Sequence, residues 1–365
     1  MRNIIIIIIL GLIQLTSCNT DETIVEGAQG YNPVGTQVLF TSANEKMAIT
    51  RAIVPYMQIN RQFVCSMYYH AKNNDSEEKF DVADPNNGGT MIRATLKIED
   101  NLGNAAYETG QFYWQNRLDH AFLALSDNHM AIPEISNSVK YDLTRGNLMT
   151  KMTDQPDPIV ALSIARPTGS TKEGNRVYLY FKHQFAQVRV NIKSSEDKST
   201  TIGEDQIESV QLLGVSEEAT INYHLKADGT VDPPKAKEVI LDDYDESLLS
   251  ENKWGTSFSM FNTETATGFL KSFNSIAFGQ LGAIRITWHE GTDTEPGVKH
   301  VSTYVVPEEN ENHVKLQTLA SGMKYVYDLE LRRGLIAVIR ASVEDWQQKE
   351  ELVYGTEGTI TDSTL

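Results

Sequence analysis

The sequence predicts an all-β protein built as two tandem β-sandwiches, and three observations carry that reading. Apolar residues recur in short alternating runs, Gly, Asn, Asp and Pro separate the runs, and no long amphipathic helix competes with them. The runs include 36–41, 90–99, 176–192, 208–215, 283–288, 301–306, 324–331 and 335–343. Many short strands divided by turns must pair into packed sheets to bury their faces. At 365 residues the chain is long enough for two ordinary domains. A polar stretch at 193–205 has almost nothing to bury, so it is the expected break between a sandwich in 52–192 and a second in 193–365. Residues 70–89 read as a long surface loop, and Asp232-Pro233-Pro234 marks another excursion.

The first 17 residues read as a secretory leader. Arg2 precedes an unbroken apolar run from Ile4 to Leu12, then Leu15-Thr16-Ser17-Cys18. The run from Ile4 to Ile13 would rise only about 15 Å as a helix, roughly half a bilayer core. A Leu-x-Ser-Cys box of this kind is cut before the cysteine, which makes Cys18 the expected lipidation site and the outer membrane the expected resting place. Several acyl chains hold far better than one, because each buried CH₂ contributes about 0.8 kcal/mol. A polar tether from Asn19 to about Gly35 follows.

Composition excludes some partners. The net charge is −17 and Lys and Arg form no cluster, so nucleic acid is not an expected partner. Of the two cysteines, Cys18 is claimed by lipid, which leaves Cys65 without an intrachain disulfide partner. Phe63, Cys65, Met67 and Tyr69 share one face of a predicted strand, so the thiol is read as a small buried hydrophobe.

No catalytic constellation emerges. The chain holds no G-x-S-x-G, no Walker loop, no G-x-G-x-x-G and no H-E-x-x-H. Ser126-Asp127-Asn128 and Ser195-Glu196-Asp197-Lys198 match fragments of a β-lactamase signature, in the wrong order and without Lys-Thr-Gly. The eight histidines are scattered singly, so no zinc site is expected. Asp75, Glu77, Glu78, Asp81 and Asp84 lack EF-hand spacing and read as a solvated acidic loop. No cofactor, metal or catalytic residue is therefore assigned.

Several segments fall in an order that resembles the fimbrillins, the lipoprotein-derived subunits of type V pili. They are Gln37-Val38-Leu39-Phe40-Thr41, then Ile49-Thr50-Arg51-Ala52, Gln111-Phe112-Tyr113-Trp114, Leu118 to Ala124 and Asp157-Pro158-Ile159-Val160-Ala161. The most specific is 177–190, with its Phe181-x-His183 and Phe185-Ala186 pattern; Tyr304-Val305-Val306-Pro307, 322–329 and Val343-Glu344-Asp345-Trp346 complete the series. Pro307-Glu308 departs from the family's Pro-Gln, and the tail after Trp346 is longer and more polar than in a stalk subunit.

The resemblance implies transthyretin-like, Greek-key sandwiches and a polymerising role in cell adhesion. An arginine-specific protease would cut between Arg51 and Ala52, making 18–51 a propeptide, and release a first strand carrying Val38 and Phe40 on one face and Leu39 on the other. A strand from another fimbrial subunit would then fill the vacated groove. The donor would come from 335–343, with Leu335, Ala337 and Ile339 in a segment read as apolar on both faces, or from the tail around Leu352 and Tyr354. An anchor or tip role, and a non-assembling surface lipoprotein that binds glycans or host proteins, remain as alternatives.

Overall fold

A computed structural model describes residues 31–43, 59–70, 79–82, 91–127, 141–142, 147–151, 157–195, 202–216, 218–236, 257–291, 297–310, 313–332, 335–346 and 360–364. Almost every regular element among them is a strand. In chain order the first ten are β1 (Phe40–Ala43), β2 (Gln62–Tyr69), β3 (Ile92–Ile98), β4 (Asn104–Thr109), β5 (His120–Asp127), β6 (Tyr141–Asp142), β7 (Asn147–Lys151), β8 (Pro158–Ala165), β9 (Val177–Tyr180) and β10 (Lys182–His183). The next are β11 (Ala186–Ser194), β12 (Ile207–Val215), β13 (Glu218–Asn222), β14 (Lys235–Ala236), β15 (Ser257–Ser259), β16 (Phe261–Thr263), β17 (Lys271–Ala277) and β18 (Gly279–His289). Five complete the chain: β19 (Lys299–Val305), β20 (Thr318–Leu319), β21 (Met323–Arg332), β22 (Leu335–Asp345) and β23 (Ile360–Thr364).

The N-terminal sheet has eight strands in the order β10-β8-β5-β2-β3-β4-β1-β9. Only Phe181 separates β9 from β10, so one short segment pairs with β1 at one end and with β8 at the other, and the eight strands close into a ring of pairing. Alternation fills the ring: Phe40, Phe63, Cys65, Met67, Leu96, Phe122 and Phe181 point inward to one buried cluster. Cys65 is fully buried there, which pushes its thiol well above the usual range and makes it a packing group.

The C-terminal part forms a five-stranded sheet, β16-β17-β11-β21-β22, and a second sheet, β15-β12-β18-β19-β23, with β20 beside β18. Val188, Val190 and Ile192 of β11 and Tyr325, Tyr327 and Leu329 of β21 meet Val210, Leu212, Ile284 and Ile286 in one core. The expected break at 193–205 is not where the chain changes sheets. β11 begins at Ala186 and is the central strand of the five-stranded sheet, paired antiparallel with β17 and parallel with β21. Its inner residues are needed by the second core, so the crossover falls between His183 and Ala186.

A four-stranded sheet, β14-β13-β7-β6, joins the two parts. Its β7 precedes the crossover and its β13 follows it, and they pair from Glu218↔Lys151 to Asn222↔Asn147. Ala219, Ile221, Tyr223 and Leu225 belong to the same buried cluster as Val64, Ala121, Leu123 and Leu125, which face out of the ring. β2 and β5 are thus apolar on both faces. The Tyr223 hydroxyl donates to Leu123 O at 2.6 Å, with Val64 O at 3.2 Å as a second acceptor. Close approach also requires Gly229, whose φ is +86° and where a Cβ would lie 2.8 Å from the Phe80 ring. Replacing Tyr223 by Phe removes the buried donor that joins the parts. The expected outcome is a loss of about 1 to 2 kcal/mol of stability in urea denaturation, with the far-ultraviolet spectrum unchanged.

Candidate functional site

The site is the slot that holds the first strand. Pairing of this segment is longer and more broken than the expected 36–41. Gly35 N–H donates to Trp114 O at 2.8 Å, Trp114 N–H to Thr36 O at 3.0 Å, and Val38 N–H to Phe112 O at 3.0 Å. β1 proper, Phe40–Ala43, lies between two strands: antiparallel to β4 with Phe40↔Ala105, and parallel to β9 from Phe40↔Val177 to Ala43↔Tyr180. The change of partner follows from the sequence, because Gly103 and Gly110 bracket β4 and the chain beyond it returns through 112–114.

Side chains grip the strand in two ways. Val38 and Phe40 are fully buried, while Leu39 lies on the other face and is half-buried. The Phe40 ring meets Tyr107, Phe112 and Phe122 edge-on, with centroids 6.2, 5.9 and 5.2 Å away. Burying such a ring contributes roughly 1.5 to 3 kcal/mol, and each aromatic contact adds about 0.5 to 1.5 kcal/mol. The second grip is on the backbone. The Tyr107 hydroxyl donates to Val38 O at 2.8 Å, and Arg176 Nη1 reaches Phe40 O at 3.3 Å while bonding Asn104 Oδ1 at 2.8 Å. Burial pushes the Tyr107 hydroxyl far above its ordinary range, so it stays a donor. Thr41 Oγ1 completes the set by donating to Asn104 Oδ1 at 3.0 Å.

One member of β1 is left out of these contacts. Ser42 Oγ is buried without a hydrogen-bond partner among the described residues. An orphaned hydroxyl of this kind costs about 1 to 3 kcal/mol.

The segment opposite the strand is braced by His120. Its Nδ1–H donates to Leu118 O at 2.9 Å and its Nε2 accepts from Gln115 N–H at 3.2 Å, so the ring is neutral. It meets Trp114 at 4.9 Å, and burial pulls its pKa down to about 4. Elsewhere His183 is structural, bonded to Asp157 at 2.6 Å and stacked 3.7 Å from Trp346.

Comparison with known proteins bears on this arrangement. A family model described as fimbrillin-like matches residues 50–346. The chain belongs to the fimbrillin-like family. Fimbrillin-like proteins are structural fimbrial subunits rather than enzymes, and a fimbrial subunit role at the cell surface is what this membership supports. No curated protein matches the chain in sequence. Among solved structures, a candidate cell adhesion protein from Bacteroides uniformis shares the fold with a TM-score of 0.53 at 14% identity, covering 85% of this chain and 98% of that one. A candidate cell adhesion protein from Bacteroides ovatus gives 0.50 at 12% identity, with 86% and 99% covered. At this identity the likeness is one of fold.

The other residues singled out in the sequence are placed unevenly. Cys18, Arg51, Ala52, Leu352 and Tyr354 lie outside the described residues. Leu335, Ala337 and Ile339 fall in β22, which pairs with β21 from Met323↔Asp345 to Arg332↔Leu335. The expectation that this segment is buried on both faces is not met. Ile336 is buried, but Ile339 is 46% exposed, because the pairing with β21 skips it at a bulge between Asp328↔Arg340 and Leu329↔Val338. Sequence reading missed Tyr107, Arg176 and Asn104; Arg176 lies 135 residues from Thr41, and no local pattern marks such a contact.

The His120 brace makes the site acid-sensitive. Its folded pKa is depressed, so the unfolded ring, near 6.5, binds a proton that the folded ring refuses down to about pH 4. Its stabilisation is complete above pH 6.5 and is lost as pH falls towards 4, to a total of about 3 kcal/mol. Thermal melting of the wild type and of His120→Gln between these limits is expected to show a steeper fall for the wild type.

Proposed function

We propose that this fimbrillin-like chain is exported as a lipoprotein on Cys18, cut between Arg51 and Ala52 by an arginine-specific protease, and assembled with other fimbrial subunits by β-strand addition. The observation that carries the reading is the position of β1. It is an internal strand of a closed ring, yet it lies upstream of residue 50, where the family match begins. Every other strand of that ring lies downstream of Arg51. A cut there would leave β1 held only by noncovalent contacts. Its departure would bare the facing edges of β4 and β9 together with the Phe40 pocket.

The slot reads a strand by its backbone. Tyr107 and Arg176 address carbonyls two residues apart, on Val38 and Phe40, so they would set the register of any replacement without demanding particular side chains. The tail segment Leu352-Val353-Tyr354 repeats the large-apolar alternation of Val38-Leu39-Phe40, ending like it in an aromatic ring. It is therefore the preferred donor over Leu335, Ala337 and Ile339, whose strand is engaged along its length with β21.

An anchor role, with Arg51 uncut and the lipid kept, is favoured by one feature. The final strand, β23, pairs with β19 of its own chain from Tyr304↔Ile360 to His300↔Thr364, which commits the end of the tail in cis.

The test is to treat the full chain with an arginine-specific protease and follow both its new N-terminus and its size. Cleavage giving Ala52 as the first residue, followed by polymers, is the expected outcome, and Arg51→Ala should give neither. A chain that stays monomeric after cleavage at Arg51 would sink strand addition. Separately, Arg176→Met should weaken retention of the cut strand by about 1.5 to 3 kcal/mol, the range for hydrogen bonds from a charged group. Its faster dissociation can be followed with a fluorophore on the released segment.

A further inference from the structure

The geometry points to a second binding site, a groove for a carboxylated saccharide on the outer face of the five-stranded sheet. It does not depend on strand addition and lies on different elements from the first-strand slot. The groove encloses about 400 Å³ between the strands and the 264–269 segment, a volume within the usual range for small ligands.

Its floor is unusual for the outside of a sheet. Asn191, Asp328, Ser342 and Glu344 are all buried, although they project from the face opposite the core. The network that holds them is explicit. Asn191 Nδ2 donates to Asp328 Oδ1 at 2.7 Å, Ser272 Oγ donates to Asn191 Oδ1 at 2.7 Å, and Ala266 N–H donates to Ser272 Oγ at 3.0 Å. The last of these bonds, with Leu270 N–H to Ile192 O at 2.8 Å, pins the 264–269 rim over the sheet. Polar groups fixed in this way cost nothing to reorganise when a ligand arrives.

Three cations reach the groove, and two are already neutralised. Lys324 Nζ lies 2.7 Å from Glu344 Oε1, and Arg340 Nε lies 2.9 Å from Asp328 Oδ2. Arg189 differs. It is oriented by Nε to Asn191 Oδ1 at 3.1 Å and Nη2 to Glu264 O at 2.9 Å, both neutral acceptors, and it has no carboxylate partner among the described residues. A protein of net charge −17 thus keeps in a concavity one oriented guanidinium that no carboxylate among the described residues compensates. Low-dielectric walls focus that charge on an anion, and the guanidinium fork suits a carboxylate.

The other contacts select what carries the carboxylate. Ser342 offers a hydroxyl at the floor, Thr267 a hydroxyl at the rim, and Phe269 an apolar wall. A sugar ring has hydroxyls for the first group and a C–H face for the wall, whereas a carboxylate alone would leave them unused.

The probe is glucuronate, titrated into the full chain by calorimetry with saturation-transfer NMR, beside glucose, acetate and a tri-glutamate peptide. Glucuronate is expected to bind at least about tenfold more tightly than each of the others, and Arg189→Gln to weaken it by about tenfold or more, as loss of a charged hydrogen bond implies. Arg332→Gln, at the other end of β21 from Lys324 and paired with Glu330 at 2.8 Å, should leave binding unchanged. Equal affinity for glucose or acetate, tighter binding of tri-glutamate, no glucuronate binding, or indifference to Arg189→Gln would each overturn the assignment.

Discussion

The structure depends on the requirement that every strand edge in the N-terminal ring be paired. Backbone N–H and C=O groups buried without partners are costly, and a ring of strands has no free edge only while each member is present. β1 meets this condition between β4 on one side and β9 on the other. Phe40 adds apolar burial to the same spot, so backbone pairing and core packing fail or hold together there. A four-residue strand thus closes the gap between β4 and β9.

The two halves are not beads on a string. The β7–β13 pairing and the Tyr223 hydroxyl bind the outer face of β2 and β5 to the C-terminal core, so those strands are buried on both faces. β1 lies on the opposite side of the strand order from these braced strands. The proposed replacement of β1 would leave that braced side of the ring untouched. The polar groove lies elsewhere again, on a sheet whose inner face is fully committed to the core.

Alternation made the strands legible from the sequence. In β11, Val188, Val190 and Ile192 could only face a core, and in β2 the alternation of Phe63, Cys65 and Met67 marked one inward face, whereas burial of its other face under the C-terminal part was not legible. The crossover precedes the polar stretch at 193–205 because β11 already belongs to the C-terminal core through Val188, Val190 and Ile192. Burial of β22 was overestimated because an edge strand can be apolar on average while presenting Ile339 to solvent. The site was half legible. Val38 and Phe40 were recognisable as an inward face, but Tyr107 and Arg176 act through contacts 69 and 136 residues away in sequence, and only three-dimensional pairing reveals them.

The link between β1 and β2, residues 44–61, has a consequence for timing. While that link is intact, the first strand competes for its slot at the effective concentration of a short tether, on the order of millimolar. Another chain's strand, present at ordinary concentrations, cannot outbid it. Severing the link turns an intramolecular contest into one between two dilute competitors, and the outcome then passes to whichever strand fits better or dissociates more slowly. Under the proposed cleavage, the chain would carry its own delay: the precursor would stay closed however many of its neighbours it met, and would become receptive only after an irreversible covalent event.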